Sequence, residues 1–304
     1  MNFDLTILGS GSALPTSRRY CTAHALGVHE RFFLIDCGEG TQIQVRKAKV
    51  RMSRLNHIFF SHLHGDHLYG LFGLLSSFNL LGRKAELHIH GPSGLQKIID
   101  FFCSDLSEQL QYQIRFHPIQ TRSFDLLHED KHVEVYSFPL KHRVPTWGYL
   151  FKERPKELKI KKELIERYEL SISNIVDIKR GNDFKTIGGE LIPNSELTIE
   201  PQPGRTYAFC SDTAYYERIT KWLEGVDLLY HEATFANAER KIAKQTGHST
   251  TQQAASIAKK AGVKKLIIGH FSNRYQDLSV LLHEAREVFP ETFLAEDLDV
   301  HHVL

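Results

Sequence analysis

The chain has little of what marks the more specialised protein classes. Its four cysteines, Cys21, Cys37, Cys103 and Cys210, lie far apart and form no C-x-x-C pair. That spacing excludes a thiolate zinc knot and a disulfide framework, and predicts free, mostly buried thiols in a reducing compartment. Charge of one sign is scarce as well. The formal net charge is only +2, so any grip on RNA has to come from a local basic patch. No apolar stretch is long enough to cross a bilayer, and no membrane association is expected. The opening residues, Met1-Asn-Phe-Asp-Leu-Thr-Ile-Leu, contain an acid and lack a basic n-region. They read as a first strand rather than a signal peptide, and the expected location is the cytoplasm. Internal repeats and low-complexity tracts are absent. What remains is 304 residues, 41% hydrophobic and 24% charged, a globular composition for one large domain or two ordinary ones.

Histidine, by contrast, is plentiful, with eighteen residues, and the densest group is the run Ser61-His-Leu-His-Gly-Asp-His67. His62, His64, Asp66 and His67 place four metal-ligating side chains within six residues. A single histidine is more often a packed core residue, but four ligands this close point to metal. A buried strand, His57-Ile-Phe-Phe-Ser61, precedes the run and a helix follows it, so the cluster sits on a strand-to-helix turn. Open α/β sheets carry their chemistry at such turns. Imidazole and carboxylate without thiolate suit a catalytic divalent metal.

Strands and helices alternate in two rounds, which predicts stacked α/β layers. In the first round, strands are expected at 3–9, 25–37, 57–61, 85–91, 112–119 and 132–141, and helices at 39–50, 68–82 and 93–106. In the second, strands are expected at 205–211, 226–231, 264–269 and 292–295, and helices at 215–224, 237–246, 249–261 and 277–289. Ser249 with Gln252 reads as the capping box of the third of these helices, and Gly262 as its terminating glycine. Residues 151–204 break the rhythm. Over 152–185 they hold ten Lys/Arg against seven Asp/Glu. Such a run is either a solvated charged insertion or an arm that grips a polyanion.

Three more candidate ligands follow expected strands: His142, Asp212 and His270. Each taken alone is equally a surface or capping group. Together with the first cluster they match one arrangement, with His62, His64 and His142 on one metal, Asp66, His67 and His270 on a second, and Asp212 between them. Two metals about 3.5–4 Å apart activate water and clamp a phosphoryl group undergoing in-line displacement. Asp66 is placed to orient the attacking hydroxide or accept its proton.

The residues that carry this pattern resemble the metallo-β-lactamase superfamily, through His-x-His-x-Asp-His at 62–67. Further blocks are similar to ribonuclease Z, the tRNA 3′ endonuclease family within it. These are Leu8-Gly-Ser-Gly-Ser-Ala-Leu-Pro-Thr16, Ile35-Asp-Cys-Gly-Glu-Gly-Thr-Gln42, Pro139-Leu-Lys-His-Arg-Val-Pro-Thr-Trp-Gly-Tyr149, His231-Glu-Ala-Thr234, Gly247-His-Ser-Thr250 and Gly269-His-Phe-Ser-Asn-Arg-Tyr275. The resemblance spans nearly the whole chain and implies one α/β domain over 1–304. Its fold is an αβ/βα metallo-β-lactamase sandwich, with 151–204 as an inserted, protruding basic arm. It also implies two Zn²⁺ per subunit, with Mn²⁺ or another divalent ion as a substitute, a precursor-tRNA substrate cut after the discriminator base, and a homodimer.

Carried over with it are a proton-delivering pair, His248 and Glu232, and His231 as support behind a ligand. Arg274, Arg18 and Arg19 are expected at the RNA near the cut, and Lys179, Arg180 and Lys185 at a basic arm tip. Two features depart from the family pattern: the arm has no Gly-Pro pair, and Tyr20 follows the arginines where an Asn is common. The alternatives are another phosphodiesterase on this fold and a non-catalytic RNA-binding protein stabilised by zinc. A basic arm is superfluous for the first, and seven ligands for the second. Gly9-Ser-Gly11 is not a dinucleotide fingerprint, because Leu14 stands where its third glycine belongs.

Overall fold

A computed structural model describes residues 2–104, 110–120, 122–201 and 203–304. The chain forms two compact units, Met1–Lys152 with Arg205–Leu304, and Glu153–Gly204.

The larger unit holds two seven-stranded sheets. The first runs in the order Val300–His302, Phe3–Gly9, Ala23–Val28, Arg31–Ile35, Leu55–Phe59, Leu87–Pro92, Ile114–Ile119. The second runs Thr292–Leu294, Lys265–Gly269, Leu228–Glu232, Thr206–Cys210, Trp147–Glu153, Val133–Pro139, Asp125–Glu129. Central strands of both sheets are buried on both faces, so their sequences read as nearly unbroken apolar runs. Alternate residues then serve two cores. Phe33, Ile35, Phe59, Tyr207, Phe209 and Tyr230 meet between the sheets. Leu34 and Ile58 face outward onto the helix Leu71–Leu80 and its neighbours. Ala208, Cys210 and Leu229 face outward onto the helix Thr251–Ala261. The result is the αβ/βα sandwich of the metallo-β-lactamase fold. Among the described residues no helix is long and apolar enough to cross a membrane. Cys21, Cys37 and Cys210 are buried free thiols and Cys103 is half-buried.

Several elements differ from the sequence expectation. The run 25–37 is a hairpin rather than one strand, Ala23–Val28 and Arg31–Ile35, turning at His29 with φ 55°. The helix expected over 68–82 is broken into Gly65–Leu68 and Leu71–Leu80. Gly70 lies at the break. A Cβ there would stand 2.0 Å from the Gly38 carbonyl oxygen, so only glycine lets the turn pack on the 37–38 loop. The expected helix at 215–224 is a 3₁₀ segment, Glu217–Trp222. The helix over 93–106 is seen as Leu95–Ser104, and its last two expected positions lie outside the described residues. The capping box is Thr250 with Gln253, one residue later than the sequence suggested. Ser249 is diverted to the site, where its hydroxyl donates to the Thr213 carbonyl (2.7 Å).

Glu153–Gly204 has its own small core of Ile160, Leu170, Ile178, Ile192 and Leu197. Around it are the helices Lys162–Arg167 and Ile172–Lys179, a helical turn Asn194–Leu197, and two short antiparallel strand pairs.

Candidate metal centre and active site

Every sequence-predicted ligand follows the C-terminal end of a strand or lies on the turn after one. The 61–67 turn follows Leu55–Phe59, His142 follows Val133–Pro139, Asp212 follows Thr206–Cys210, and His270 follows Lys265–Gly269. Their donor atoms form two sets. In the first, His62 Nε2 lies 3.0 Å from His64 Nδ1, His142 Nε2 3.3 Å from His64 Nδ1, and Asp212 Oδ2 3.5 and 3.8 Å from His62 and His142. In the second, His67 Nε2 is 3.3 Å from His270 Nε2, and Asp66 Oδ2 is 3.6 and 3.4 Å from these two nitrogens. Asp212 Oδ1 is 3.4 and 3.2 Å from the same nitrogens. Tetrahedral zinc with bonds of about 2.0–2.1 Å places its ligand atoms about 3.3 Å apart. Both sets match that spacing, and one carboxylate divides its two oxygens between them. Asp212 is buried, and its Oδ1 has no hydrogen-bond partner. A buried orphan oxygen is costly unless a cation satisfies it, so the residues present fit a pair of divalent ions.

The outer nitrogens of these imidazoles are held in turn. His67 Nδ1 donates to Asp36 Oδ2 (2.8 Å) and His142 Nδ1 to the Gly247 carbonyl (2.7 Å). Ser61 Oγ donates to Asp36 Oδ2 (2.7 Å), which makes it an acceptor for His62 Nδ1 (2.9 Å). Thr234 Oγ1 donates to Glu232 Oε2 (2.9 Å) and accepts from His270 Nδ1 (2.9 Å). Each of these four rings is thereby fixed in the tautomer that turns an Nε2 lone pair inward. Gly247 has φ 79°, and a Cβ there would lie 2.9 Å from His142 Nδ1, so a side chain would displace the ring.

The electrostatics follow the same division. Burial lowers the pKa of His62, His64 and His142, which favours neutral, ligating imidazole. Burial also opposes charge on His67, but Asp212, Asp66 and Asp36 outweigh it and raise that ring well above its usual value. Asp66 and Asp212 are held below the usual carboxylate range, against burial, by the facing histidines.

Beside the donor sets lies a second group. Glu232 is fully buried and accepts from the Thr213, Ser249 and Thr234 amides (3.1, 2.8 and 3.0 Å). His248 Nδ1 lies 3.2 Å from Glu232 Oε1 and 4.0 Å from Asp212 Oδ2. Burial works against the imidazolium, yet these two carboxylates push His248 up to about 9. His231, expected behind a ligand, instead donates through Nδ1 to the Glu232 carbonyl (2.6 Å). Arg274 lies over the Phe235 ring at 5.2 Å and 3.8 Å from Glu239. Arg19 Nη2 donates to the Tyr275 carbonyl (2.7 Å), tying the 10–20 loop to the segment after His270, whereas Arg18 is exposed. In the smaller unit Lys179 pairs with Glu157 (3.5 Å) and Arg180 with Asp177 (3.9 Å), and Lys185 is exposed.

Sequence reasoning gave no role to Asp36, Ser61, Thr234, Gly247 or Ala13, whose amide donates to Asp66 Oδ2 (2.7 Å). The available signal was position: Asp36 directly follows a buried strand, where a fully buried acid needs partners.

The model of the family described as Anti-Pycsar protein Apyc1 matches residues 3–287, and the chain is a member of that family. Ribonuclease Z of Bacteroides thetaiotaomicron is 49% identical over 299 residues, 97% of this chain and 93% of that protein. Ribonuclease Z of Parabacteroides distasonis is 50% identical over 300 residues, 97% of each. The chain belongs to the ribonuclease Z family. The crystal structure of the short form of human tRNase Z superposes with TM-score 0.71 at 28% identity, covering 99% of both chains. A metallo-β-lactamase fold protein of Bacillus subtilis reaches the same TM-score at 17% identity, which bears on the fold alone. Family, fold and donor set together make this chain a user of divalent metal.

Proposed function

We propose that the chain is a zinc-dependent endoribonuclease that matures tRNA, cutting precursor tRNA after the discriminator base and leaving a 3′-hydroxyl. His62, His64, His142 and Asp212 hold one ion, and Asp66, His67, His270 and Asp212 the other. Imidazole and carboxylate donors also accept Mn²⁺. Such ions, when bound, supply Lewis acidity that polarises a phosphoryl group and lets water lose a proton near neutral pH.

The chain's own residues do the rest. Ala13 fixes Asp66 through Oδ2, so its other oxygen orients the attacking water and takes its proton. Glu232 holds His248 by Nδ1, so Nε2 faces the open side and donates a proton to the departing 3′ oxygen. An alkoxide leaving group needs such a donor. Arg274 and Arg18 contact phosphates near the cut, and Arg19 shapes the loop beside them. Lys179, Arg180 and Lys185 grip the tRNA body, which sets the register of the scissile bond from a distance. The chain acts as a cytoplasmic homodimer in which one subunit's arm presents tRNA to the other.

The observation that carries this reading is the split of the two Asp212 oxygens between two donor sets, in a chain half identical to ribonuclease Z over nearly its full length. The donor set also admits a second reading, another phosphodiesterase on this fold acting on small substrates, because a pair of divalent ions clamps any phosphoryl group in the same way. A 3′-extended tRNA transcript incubated with zinc or manganese separates the two. Cleavage at the discriminator supports the first. An uncut transcript beside a hydrolysed chromogenic diester supports the second.

A further inference from the structure

One cavity shares a wall with the metal centre and has no role in the chemistry above. It measures about 720 Å³, inside the range of about 300–1,000 Å³ typical of small-molecule sites. Leu63, between the donors His62 and His64, forms one side. Leu140 and Val144, which bracket His142, form another. Pro139, Pro145 and the edge of Trp147 continue the apolar surface, and the half-buried ring of Tyr216 closes it. Among the described residues no acid lines this cavity, and Arg122 is its one charged side chain.

The wall is rigid. The Trp147 amide donates to the Ser61 carbonyl (3.0 Å) and the Leu140 amide to the Thr146 carbonyl (2.9 Å). The shape of the cavity is therefore locked to the loops that carry His62, His64 and His142.

A cut that leaves a 3′-hydroxyl on the tRNA needs the nucleotide before the scissile phosphate near the proton donor. His248 stacks on His270 with centroids 5.3 Å apart and lies edge-on to Phe235, which Arg274 covers. That flank takes the tRNA end. The strand beyond the phosphate then leaves on the opposite side, where Leu63, Leu140 and Val144, the sequence neighbours of His62, His64 and His142, line the cavity.

The geometry points to this cavity as a nucleobase subsite that seats a 3′-trailer nucleotide next to the cut, its base against Tyr216 and the Leu63–Leu140–Pro145 surface and its phosphate near Arg122. The inference rests on the tRNA-endonuclease reading and adds to it a means of selecting unpaired trailer RNA. Stacking on an aromatic side chain is tolerant of base identity, which suits a trailer of arbitrary sequence.

The test uses the full-length zinc-loaded enzyme, Tyr216→Ala and Tyr216→Phe. The substrates are a 3′-extended tRNA with an intact trailer and versions with an abasic residue at the first or second trailer position, or at the discriminator. Tyr216→Ala is expected to raise KM about 5- to 100-fold on the intact trailer, the scale of one base–aromatic stack, with a much smaller change in kcat. Tyr216→Phe restores wild-type KM. One abasic trailer position raises the wild-type KM by a similar factor and adds nothing further in Tyr216→Ala. Wild-type cleavage that is indifferent to both abasic trailer positions, or a Tyr216→Ala defect coupled to the discriminator, overturns the subsite alone. A tRNA left uncut by the wild type overturns the endonuclease reading as well.

Discussion

Replacing Asp36 by Asn changes one proton-accepting atom far from any substrate, and its consequences can be worked out atom by atom. Asp36 Oδ1 accepts from the Ser61 amide (2.7 Å), so the carbonyl oxygen of an Asn must stay there. The amide NH₂ then occupies the Oδ2 position, which now accepts from Ser61 Oγ and from His67 Nδ1 (2.8 Å). Ser61 Oγ can turn its proton to Ser211 Oγ (2.8 Å) and go on accepting from His62 Nδ1, so the first donor set is unchanged. His67 cannot do so without moving its proton to Nε2, the nitrogen that belongs to the second donor set. The backbone tolerates the change, since Asp36 has φ 57° and Asn adopts that region readily. The protein should therefore fold while offering a mis-protonated ligand. Loss of an outer-shell partner of this kind typically costs 10–100-fold in metal affinity or activity, about 1.4–2.8 kcal/mol. Competition against a graded series of zinc chelators should show one ion, not both, bound that much more weakly, with turnover falling in step. Wild-type affinity for both ions in Asp36→Asn would refute the tautomer argument.

His248→Ala should lower single-turnover cleavage by about 10²–10⁴-fold, the usual worth of a positioned proton donor, without changing zinc content; loss of zinc instead would make His248 a ligand. Alanine at Lys179, Arg180 and Lys185 together should weaken tRNA binding and flatten its dependence on log[salt], each lost phosphate contact removing a little under one unit of slope. A chromogenic diester should be cut at the wild-type rate by that triple variant, and an unchanged salt slope counts against the arm. Acid stability carries a further signature. Burial, with His128, His88 and His117, holds His57 down to about 3, and burial with the same surrounding rings holds His90 down to about 2. Unfolded, each binds a proton near pH 6.5, so below that pH the unfolded chain is the more protonated and stability falls with pH. The two rings cost up to about 4 kcal/mol between pH 6.5 and 5, at about 1.4 kcal/mol per ring per pH unit. Denaturant melts should show His57→Phe losing visibly less than wild type over that interval, and equal losses would contradict it.

The metal centre was legible because its chemistry is concentrated in sequence. Four donors fall within six residues, and the remaining three sit just beyond apolar runs that could only be strands. The residues that orient those donors were not legible. Ser61 and Asp36 acquire their roles through hydrogen bonds to rings 1 and 31 positions away, and Gly247 acts through a backbone carbonyl and the lack of a side chain beside a ring 105 positions away. Periodicity located the layers but not the turns. The hairpin at His29 has no Asn-Gly or Gly-Gly signal, and the helix break at Tyr69–Gly70 is imposed by contact with the 37–38 loop. Histidine count alone does not locate the centre. His57, His88, His90 and His117 belong to neither donor set and stack on one another, with His57 and His88 centroids 4.6 Å apart at 12°, while His128 lies tilted against His57 at 4.1 Å. Parallel rings in contact pack as flat aromatics, an alternative that composition does not distinguish from ligation.

The most direct test of the central claim is a metal count on fully active protein, by elemental analysis together with anomalous scattering at the zinc edge. The donor geometry predicts two ions per chain, one among His62, His64 and His142, one among Asp66, His67 and His270, with Asp212 reaching both. Full activity with one of these positions empty would contradict it.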